Sequence, residues 1–321
     1  MHSKCSFSPA CSGLPWVLLS ILFFICTILG MNKQPLRIAI IGLGEVGRCY
    51  AKPLQEAGFE LLLCEAKPSP AALDLAAQWK LPLHDKPGQW LGEADWVLSC
   101  VTGAFALSVT QQVLAFVKPG TGLADFTTAS PDTKRQAAKL SIAQDTRYVD
   151  TAIMGAISLN WVRTPLLASG QGAEDLKAVI EQAGGRVQVI QGGVPGDAIS
   201  LKILRSVFTK GMEALSVELL TSAEKQGVRE KLYEQLQDID QTPLRSFIDM
   251  LVRTHVVHAK RRAHEVHDAN NELASQGLPS LVLPGVEKRF LETAQRLEKQ
   301  PLEMADPNVD QALQWLLKET N

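Results

Sequence analysis

Apolar residues in the chain up to Pro195 form short runs rich in β-branched side chains, and stretches with helical periodicity separate these runs. After a first run at Ile38–Ile41, the pattern predicts strands at Phe59–Cys64, Ala94–Val101, Gly122–Phe126, Tyr148–Ile153, Pro165–Ala168 and Arg186–Ile190. It predicts helices between them at Val46–Ala57, Pro70–Lys80, Phe105–Val117, Asp132–Ala143 and Ala173–Gln182. Alternation of strands and helices is typical of a parallel, doubly wound sheet.

The pattern changes after Pro195, where no further strand is predicted and helical periodicity continues to the C-terminus. Helices are predicted at Ala198–Gln226, Thr242–Ala274, Pro284–Lys299 and Asn308–Thr320. The first of these is long and mostly apolar, so we expect it to be the buried spine of a helical domain. The fold prediction is therefore a doubly wound, mostly parallel α/β domain over residues 31–195, followed by an all-α domain over residues 196–321.

An apolar segment, Leu14–Met31, precedes this architecture and is long enough for a membrane span or the core of a signal peptide. Met31 stands just before the first strand, as a natural start would, and no small-residue cleavage site precedes it. Lys4 is the only Lys or Arg ahead of the apolar segment. We therefore expect residues 1–30 to be an over-extended start, with a membrane anchor as the alternative.

The turn Gly42–Gly47 has the pattern G-x-G-x-x-G between a predicted strand and a predicted helix. In this pattern Gly42 makes the tight turn, Gly44 lets the backbone approach a pyrophosphate, and Gly47 lets the helix pack closely on the strand. The helix N-terminus supplies free N–H groups to the phosphates. A Rossmann domain that binds a dinucleotide is therefore predicted, with its phosphate contacts at Gly42, Leu43, Gly44, Glu45, Val46 and Gly47.

The second strand ends just before Glu65, which follows Gly47 by 18 residues. An acid about 20 residues past the glycine turn accepts hydrogen bonds from the adenosine ribose and repels a 2′-phosphate. NAD is therefore favoured, although Lys67 keeps NADP open and Glu65 could be a solvated charge. Ligands of such sheets lie beyond the carboxyl ends of the strands, so the cofactor is also expected to border Val101, Thr102 and Thr128.

A polar stripe runs along the predicted spine helix. Lys202, Ser206, Thr209 and Glu213 fall on one side of it at about 100° per residue. A water-filled groove or a satisfied hydrogen-bond network would explain such a stripe without any function. A lysine beside a nicotinamide would instead serve as a general acid or base, with a pKa lowered by burial.

From Leu36 to Lys299 the chain resembles the β-hydroxyacid dehydrogenase superfamily, which includes 3-hydroxyisobutyrate dehydrogenase, tartronate semialdehyde reductase and 6-phosphogluconate dehydrogenase. Four blocks carry the resemblance: Ile41–Gly47, Asp125–Pro131, Asp150–Ala156 and Gly196–Ser206. The helical part resembles a bacterial branch with its own phosphogluconate dehydrogenase-like C-terminal domain. The resemblance implies that Lys202 is the catalytic general acid or base and that Thr128 contacts the cofactor. It assigns the substrate to Met154, Gly155, Ala156 and Ser206.

The chain departs from the superfamily pattern at two of these positions. Met154 replaces the usual serine, which changes how a substrate carboxylate would be bound, and Ser206 replaces the usual asparagine beside the substrate hydroxyl. Thr209 stands where 6-phosphogluconate dehydrogenase carries a glutamate, which argues against oxidative decarboxylation of that substrate. Lys202 argues against the related imine reductases, which generally lack this lysine.

Composition and charge exclude several other classes of function. A net charge of −2 gives no sign of nucleic-acid binding. Three scattered cysteines in the body of the chain, without a C-x-x-C pattern, suit a reducing cytosol. On one helix, the pair His255 and His258 points away from the pair His264 and His267, so no four-histidine metal site is expected. The basic run Lys260–Arg262 is either a solvated face or an anion site.

Together these observations predict a cytoplasmic, homodimeric NAD(P)-dependent 3-hydroxyacid dehydrogenase or reductase. Its substrate is expected to be a small anionic hydroxy acid or the matching oxo acid. The alternative is a non-catalytic dinucleotide-binding sensor or scaffold. Lys202 favours the enzyme, because a sensor does not need a buried proton carrier.

Overall fold

A computed structural model describes residues 35–318, and within them an eight-stranded sheet has the order β3-β2-β1-β4-β5-β6-β7-β8. The strands are β1 Arg37–Ile41, β2 Glu60–Cys64, β3 Leu83–His84, β4 Trp96–Ser99, β5 Gly122–Asp125, β6 Arg147–Ile153, β7 Leu166–Ser169 and β8 Val187–Val189. All neighbouring pairs are parallel except β6 and β7, which are antiparallel. The predicted doubly wound, mostly parallel sheet is confirmed.

Among the described residues the nine predicted helices are present with small changes at their ends, and three short helices of four to seven residues were not predicted. They are α1 Glu45–Glu56, α2 Pro70–Trp79, α3 Ala106–Leu114, α4 Pro131–Ile142, α5 Ile157–Asn160, α6 Ala173–Gln182, α7 Asp197–Lys225, α8 Arg229–Gln235, α9 Gln237–Asp240, α10 Leu244–Ser275, α11 Leu283–Lys299 and α12 Val309–Leu317. Beyond β8 the described residues contain no further strand. The prediction of an α/β domain followed by a helical domain is therefore confirmed.

Both faces of the sheet are covered, as its alternating side chains require. On β1, Ile38 and Ile40 belong to one buried apolar cluster, which includes Leu54 of α1. Ala39 and Ile41 point the other way, into a second cluster. Successive residues of a strand face opposite sides of a sheet, so a wholly apolar strand needs helices on both faces.

The described chain divides into two compact units between Leu204 and Arg205, inside helix α7. In the second unit, α10 packs on α11 and α12. Val256, Ala259 and Ala263 of α10 are buried at spacings of three and four residues, which is the pattern of a helix face packed on its neighbours. Trp315 of α12 is buried in the same apolar cluster as Val256.

The burial predicted for the long helix is wrong for the single chain. Nine large apolar side chains of α7 are between 38% and 68% exposed: Leu201, Ile203, Leu204, Val207, Phe208, Met212, Leu215, Val217 and Leu219. A long apolar run indicates that a helix will be covered, but it does not say whether its own chain covers it.

Two other features lay beyond the sequence prediction. Strand β3 has only two residues, too few for a periodic pattern, and the reversal of β7 leaves no mark on a short apolar strand. Residues 35–318 hold no helix that is both long and apolar enough to span a membrane. The apolar segment Leu14–Met31 lies outside the described residues.

Candidate active site

The glycine turn after β1 has the geometry that the pattern predicts. Gly42 has φ +93°, and a Cβ there would lie 2.8 Å from the Cys100 carbonyl oxygen. A Cβ on Gly47 would overlap the Gly42 carbonyl oxygen, whereas a Cβ on Gly44 would meet nothing within 4 Å. Gly42 and Gly47 are therefore required by the turn itself, and Gly44 leaves open space in front of it.

Helix α1 begins at Glu45 with Gly44 as its N-cap, and no side chain caps its first N–H groups. An uncapped helix start presents unpaired donors and a partial positive charge. With the open space beside Gly44, this is an environment that fits a pyrophosphate.

Glu65 is tied directly to this turn. Its Oε2 accepts a hydrogen bond from the Leu43 N–H at 2.7 Å, and its Oε1 accepts one from the Lys67 N–H at 3.1 Å. The Arg48 guanidinium donates to the Leu43 carbonyl oxygen at 2.8 Å. The carboxylate is therefore held at the carboxyl end of β2, against the turn that would carry the phosphates.

A cavity of about 470 Å³ opens beside these residues. Its lining includes Gly42, Gly44, Glu65, Val101 and Thr102, so the structure brings these five predicted cofactor residues together. The volume lies in the range of small-molecule sites. An open glycine, uncapped donors, a fixed acid and a cavity of this size fit the dinucleotide that the motif implies.

Two lysines and two cysteines also line the cavity. Lys67 and Lys86 give its wall positive charge. Cys64 and Cys100 contribute thiols, and burial raises the pKa of Cys64 to about 12 and the pKa of Cys100 above its ordinary value. Both thiols therefore stay protonated and behave as small apolar groups.

Thr128 lies in the loop after β5, against the loop after β4. A Cβ on Gly103 would lie 3.2 Å from the Thr128 carbonyl carbon. The β5 loop is shaped by its own side chains, because the Thr127 N–H donates to Asp125 Oδ1 at 2.8 Å and Ser130 caps α4. The exposed Thr128 is therefore positioned at the carboxyl edge of the sheet, next to the loop that contains Thr102.

A fully buried lysine that the sequence reasoning missed lies behind this loop. Lys134 Nζ donates to the Asp125 carbonyl oxygen at 2.7 Å and lies 3.0 Å from Asp125 Oδ1 and 3.3 Å from Asp150 Oδ1. The Tyr148 hydroxyl donates to Asp125 Oδ2 at 2.7 Å. Lys134 sits on the amphipathic helix α4, where a lysine is ordinarily solvated, so nothing local in the sequence marks it as buried.

Asp150 and Ser169 attach the sheet to the start of α7. Asp150 Oδ2 accepts hydrogen bonds from the N–H groups of Gly196 at 3.1 Å and Ile199 at 3.0 Å. Ser169 Oγ accepts one from the Ala198 N–H at 3.2 Å. A carboxylate at a helix N-terminus satisfies otherwise unpaired donors and complements the helix dipole. The first turn of α7 is therefore fixed at the sheet edge.

Lys202 lies one turn further along α7 and is partly buried. Burial, followed by repulsion from Lys134, lowers the pKa of its ammonium below the ordinary 10.5, while Asp150 acts in the opposite direction. Met154 packs against the apolar cluster of Ala152, Leu167 and Ala198. Ala198 precedes Lys202 by four residues and so shares its side of the helix. Gly155, next to Met154, is exposed.

The other residues predicted for the substrate site or the polar stripe are exposed or only partly buried. Ala156 is exposed next to Gly155, and Ser206 is partly buried on α7. In the stripe along α7, Thr209 and Glu213 are exposed, and Glu213 pairs with Lys210 at 2.7 Å. The polar stripe therefore does not continue as a buried feature of the single chain.

The histidines and the basic run of α10 have local partners. His255 Nε2 lies 2.8 Å from Thr293 Oγ1 and His267 Nδ1 lies 3.0 Å from Glu287 Oε1. Among the described residues, no group of three or more His, Cys, Asp or Glu side chains is placed to hold a metal ion. In the basic run, Lys260 pairs with Glu298 and Arg261 pairs with Glu265, so two of its three cations have a carboxylate partner at the surface.

Comparison with protein families identifies the first unit. Residues 37–192 match the family described as the NAD binding domain of 6-phosphogluconate dehydrogenase. This match spans the sheet and helices of the α/β domain. Residues 223–293 match a domain of unknown function, DUF1932. These matches confirm the family that the four sequence blocks predicted and the cofactor class, NAD or NADP.

Several relatives cover most of the chain. A protein of Methanothermus fervidus, described as an uncharacterized 28.5 kDa protein in the 7S RNA 5′ region, is 28% identical over 260 residues, which are 79% of this chain and 98% of the relative. A conserved protein of unknown function, described as structurally similar to 3-hydroxyacid dehydrogenases, is 28% identical, with a TM-score of 0.57 over 82% of this chain and 99% of its own.

The imine reductase of Aspergillus terreus, solved with NADPH4 and dibenz[c,e]azepine, shares the fold with a TM-score of 0.67 at 16% identity, over 87% of this chain and 99% of its own. At that identity the likeness extends to the fold alone. The chain therefore has an oxidoreductase-like fold of the 3-hydroxyacid dehydrogenase type.

Proposed function

We propose that this protein is an NAD(P)-dependent oxidoreductase in which a hydride passes between the nicotinamide and the carbinol carbon of a small β-hydroxy acid, or back to its oxo acid. The observation that carries the proposal is Lys202. It is partly buried, it lies one turn from Ala198, whose apolar cluster Met154 packs against, and the pKa of its ammonium is lowered. A lysine on a solvated helix face would show none of these features.

Lys202 moves the hydroxyl proton in this proposal. In the oxidation direction its neutral amine accepts the proton of the substrate hydroxyl as the hydride leaves the carbon. In the reduction direction its ammonium returns that proton to the carbonyl oxygen. A lowered pKa suits both roles, because an acid or base works best when its pKa lies close to the working pH.

Cofactor selection is assigned to Glu65, with NAD preferred. Its hydrogen bonds to the N–H groups of Leu43 and Lys67 hold the carboxylate at the end of β2, where a ribose 2′-phosphate would meet a negative charge. Lys67 and Lys86 on the cavity wall are the groups that would accept NADP if that charge were removed.

The substrate is assigned to the segment after β6, which contains Met154, Gly155 and Ala156, and to Ser206. Met154 gives this segment an apolar side chain where relatives of the superfamily carry a hydroxyl. We therefore infer a small hydroxy acid that binds without a serine contact to its carboxylate.

A homodimer completes the proposal. Nine exposed apolar side chains follow one another along the length of α7, and monomers rarely leave so much apolar surface of one helix in water. A second copy of this chain is the occupant that suits the patch, because two apolar faces of one kind bury each other symmetrically.

The test is a turnover assay with the purified full chain, NAD or NADP, and a panel of small β-hydroxy acids, read as absorbance of the reduced cofactor. We expect Lys202→Ala to lower kcat/KM by about 100-fold or more and to leave NADH binding by fluorescence unchanged. The oxidation rate should rise with pH through the lowered pKa of Lys202, since the neutral amine is the reactive form.

Ser200→Ala, two residues earlier on α7, is the matched control, because the Ser200 hydroxyl donates only to the Gly196 carbonyl oxygen. Unchanged turnover in Lys202→Ala would overturn the role of the lysine. Tight NADH binding without turnover of any hydroxy acid would favour the sensor.

A further inference from the structure

Lys134 is a lysine with no exposed surface, between two carboxylates that also have almost none. Asp125 and Asp150 come from neighbouring parallel strands, at paired positions of β5 and β6. Removing three charges from water is costly, and an apolar cluster of the same volume is often as stable. Stability alone therefore does not explain why the buried charged cluster of Lys134, Asp125 and Asp150 is present.

The position of Asp150 supplies a link from this cluster to the proposed chemistry. One oxygen, Oδ1, faces Lys134, and the other, Oδ2, accepts the hydrogen bonds of Gly196 and Ile199 at the start of α7. Ile199 precedes Lys202 by three residues, so the two lie on the same side of the helix. The charge of the cluster therefore acts on the helix turn that carries Lys202.

We propose that Lys134 is a positioning residue of this site: buried between Asp125 and Asp150, it holds Asp150 against the start of α7 and sets the local charge that Lys202 experiences. The inference rests on the proposed function, in which Lys202 carries the proton. It adds a second lysine, which touches neither substrate nor cofactor and acts through Asp150.

The charged groups around Lys202 act in opposite directions. Lys134 repels the ammonium of Lys202 and lowers its pKa, whereas Asp150 attracts it and raises its pKa. With Lys134 present, the two buried acids are half neutralised. Without it, the carboxylate of Asp150 would stabilise the ammonium of Lys202 unopposed, and Lys202 would hold its proton at neutral pH.

Other titratable groups near the start of α7 are engaged locally. Arg135 lies beside Gly196 and pairs with Asp132 at 2.6 Å. Asp197 accepts a hydrogen bond from the Val194 N–H at 2.9 Å. The Tyr148 hydroxyl donates to Asp125, and burial first, then the two aspartates, raises its pKa, so it remains neutral. Lys134 and Asp150 are thus the pair whose charges oppose each other at Lys202.

The experiment measures the pKa of the Lys202 amine without any turnover. The full-length protein is pulse-labelled with acetic anhydride at a series of pH values, and the acetylated fraction at Lys202 is read by mass spectrometry. Lys134→Met is expected to raise the pKa of Lys202 by about one unit or more, and Asp150→Asn is expected to lower it. Lys134→Arg keeps the charge and should restore a value close to that of the unmodified protein.

Opposite shifts in Lys134→Met and Asp150→Asn are a result that a purely structural role for Lys134 would not produce. An unchanged or lowered pKa of Lys202 in folded Lys134→Met would overturn the inference. If Lys134→Met does not fold, the double variant Lys134→Met with Asp125→Asn removes one positive charge together with one negative charge. The same rise at Lys202 is then expected, because Asp150 loses its cation.

The labelling result and the turnover result are independent. A rise of the Lys202 pKa in Lys134→Met, together with normal turnover in Lys202→Ala, would refute the proposed function but leave the electrostatic link in place. Loss of turnover in Lys202→Ala, together with an unchanged pKa in Lys134→Met, would keep the proposed function and refute the role of Lys134.

Discussion

Glu65 illustrates how one side chain joins structure and selectivity at the residue scale. One oxygen accepts the Leu43 N–H of the glycine turn, and the other accepts the Lys67 N–H of the next loop. The carboxylate therefore contributes an acceptor to the turn and a negative charge to the cavity. A substitution that separates these two contributions tests the second one alone.

Glu65→Gln keeps an amide oxygen for the Leu43 N–H, loses the acceptor of the Lys67 N–H and removes the charge. We expect its affinity for NADPH to rise by about tenfold relative to its affinity for NADH, because the repulsion of a 2′-phosphate is lost while Lys67 and Lys86 remain. Fluorescence titration of both reduced cofactors measures this ratio. Glu60→Gln, at the other end of β2, is the control, and an unchanged ratio in Glu65→Gln would contradict the assignment.

At the scale of elements, the strand, turn and helix at Ile38–Glu56 together form the expected phosphate-binding motif. Gly42 and Gly47 leave no room for a Cβ, whereas Gly44 faces open space. The turn therefore separates glycines needed for folding from a glycine needed for binding, and the two kinds respond differently to the same change.

Gly47→Ala should lower the free energy of unfolding by about 1–3 kcal/mol, because its methyl group overlaps the Gly42 carbonyl oxygen. Gly44→Ala should change the melting temperature little and weaken NADH binding, because its methyl group enters the space in front of the helix N-terminus. Thermal unfolding and fluorescence titration of both variants measure these effects. Equal losses of stability would show that the two glycines do not differ in this way.

The start of α7 is the second element that links fold to chemistry. Asp150 and Ser169 provide its N-terminal acceptors from two neighbouring strands, and Lys202 follows within the second turn. A helix anchored by its first turn gives the side chains of the next turn a defined position. This is why a lysine on a long, otherwise exposed helix can act at one place.

At the scale of the whole molecule, the exposed apolar surface of α7 is the dominant feature of the single chain. The double variant Leu204→Asp with Val207→Asp places charges on two of its most exposed apolar positions. If a second copy covers this face, we expect the dimer dissociation constant to rise by about 100-fold, since buried unpaired charges are costly.

Sedimentation equilibrium over a range of protein concentrations measures this constant. Leu73→Asp, which replaces a half-exposed leucine of α2, is the matched control and should leave the association unchanged. A protein that is monomeric before substitution, or a double variant that associates as tightly as the unmodified chain, would contradict the homodimer.

The sequence by itself determined the order of strands and helices, the glycine turn and the acid after β2. These are local properties: strand and helix periods, β-branched composition and the spacing of a few residues predict them, and the structure confirms the fold class. Lys202 was also found in this way, from one helix stripe and from its motif. Its role remains a proposal.

Only the tertiary structure decided three other points. It buried Lys134 between Asp125 and Asp150, it reversed β7 against β6, and it left nine apolar side chains of α7 exposed in the single chain. None of these has a local period or spacing, because each depends on which distant segments meet. Charge pairing, strand direction and burial depend on contacts between residues that are distant in sequence, and these contacts exist only in the folded chain.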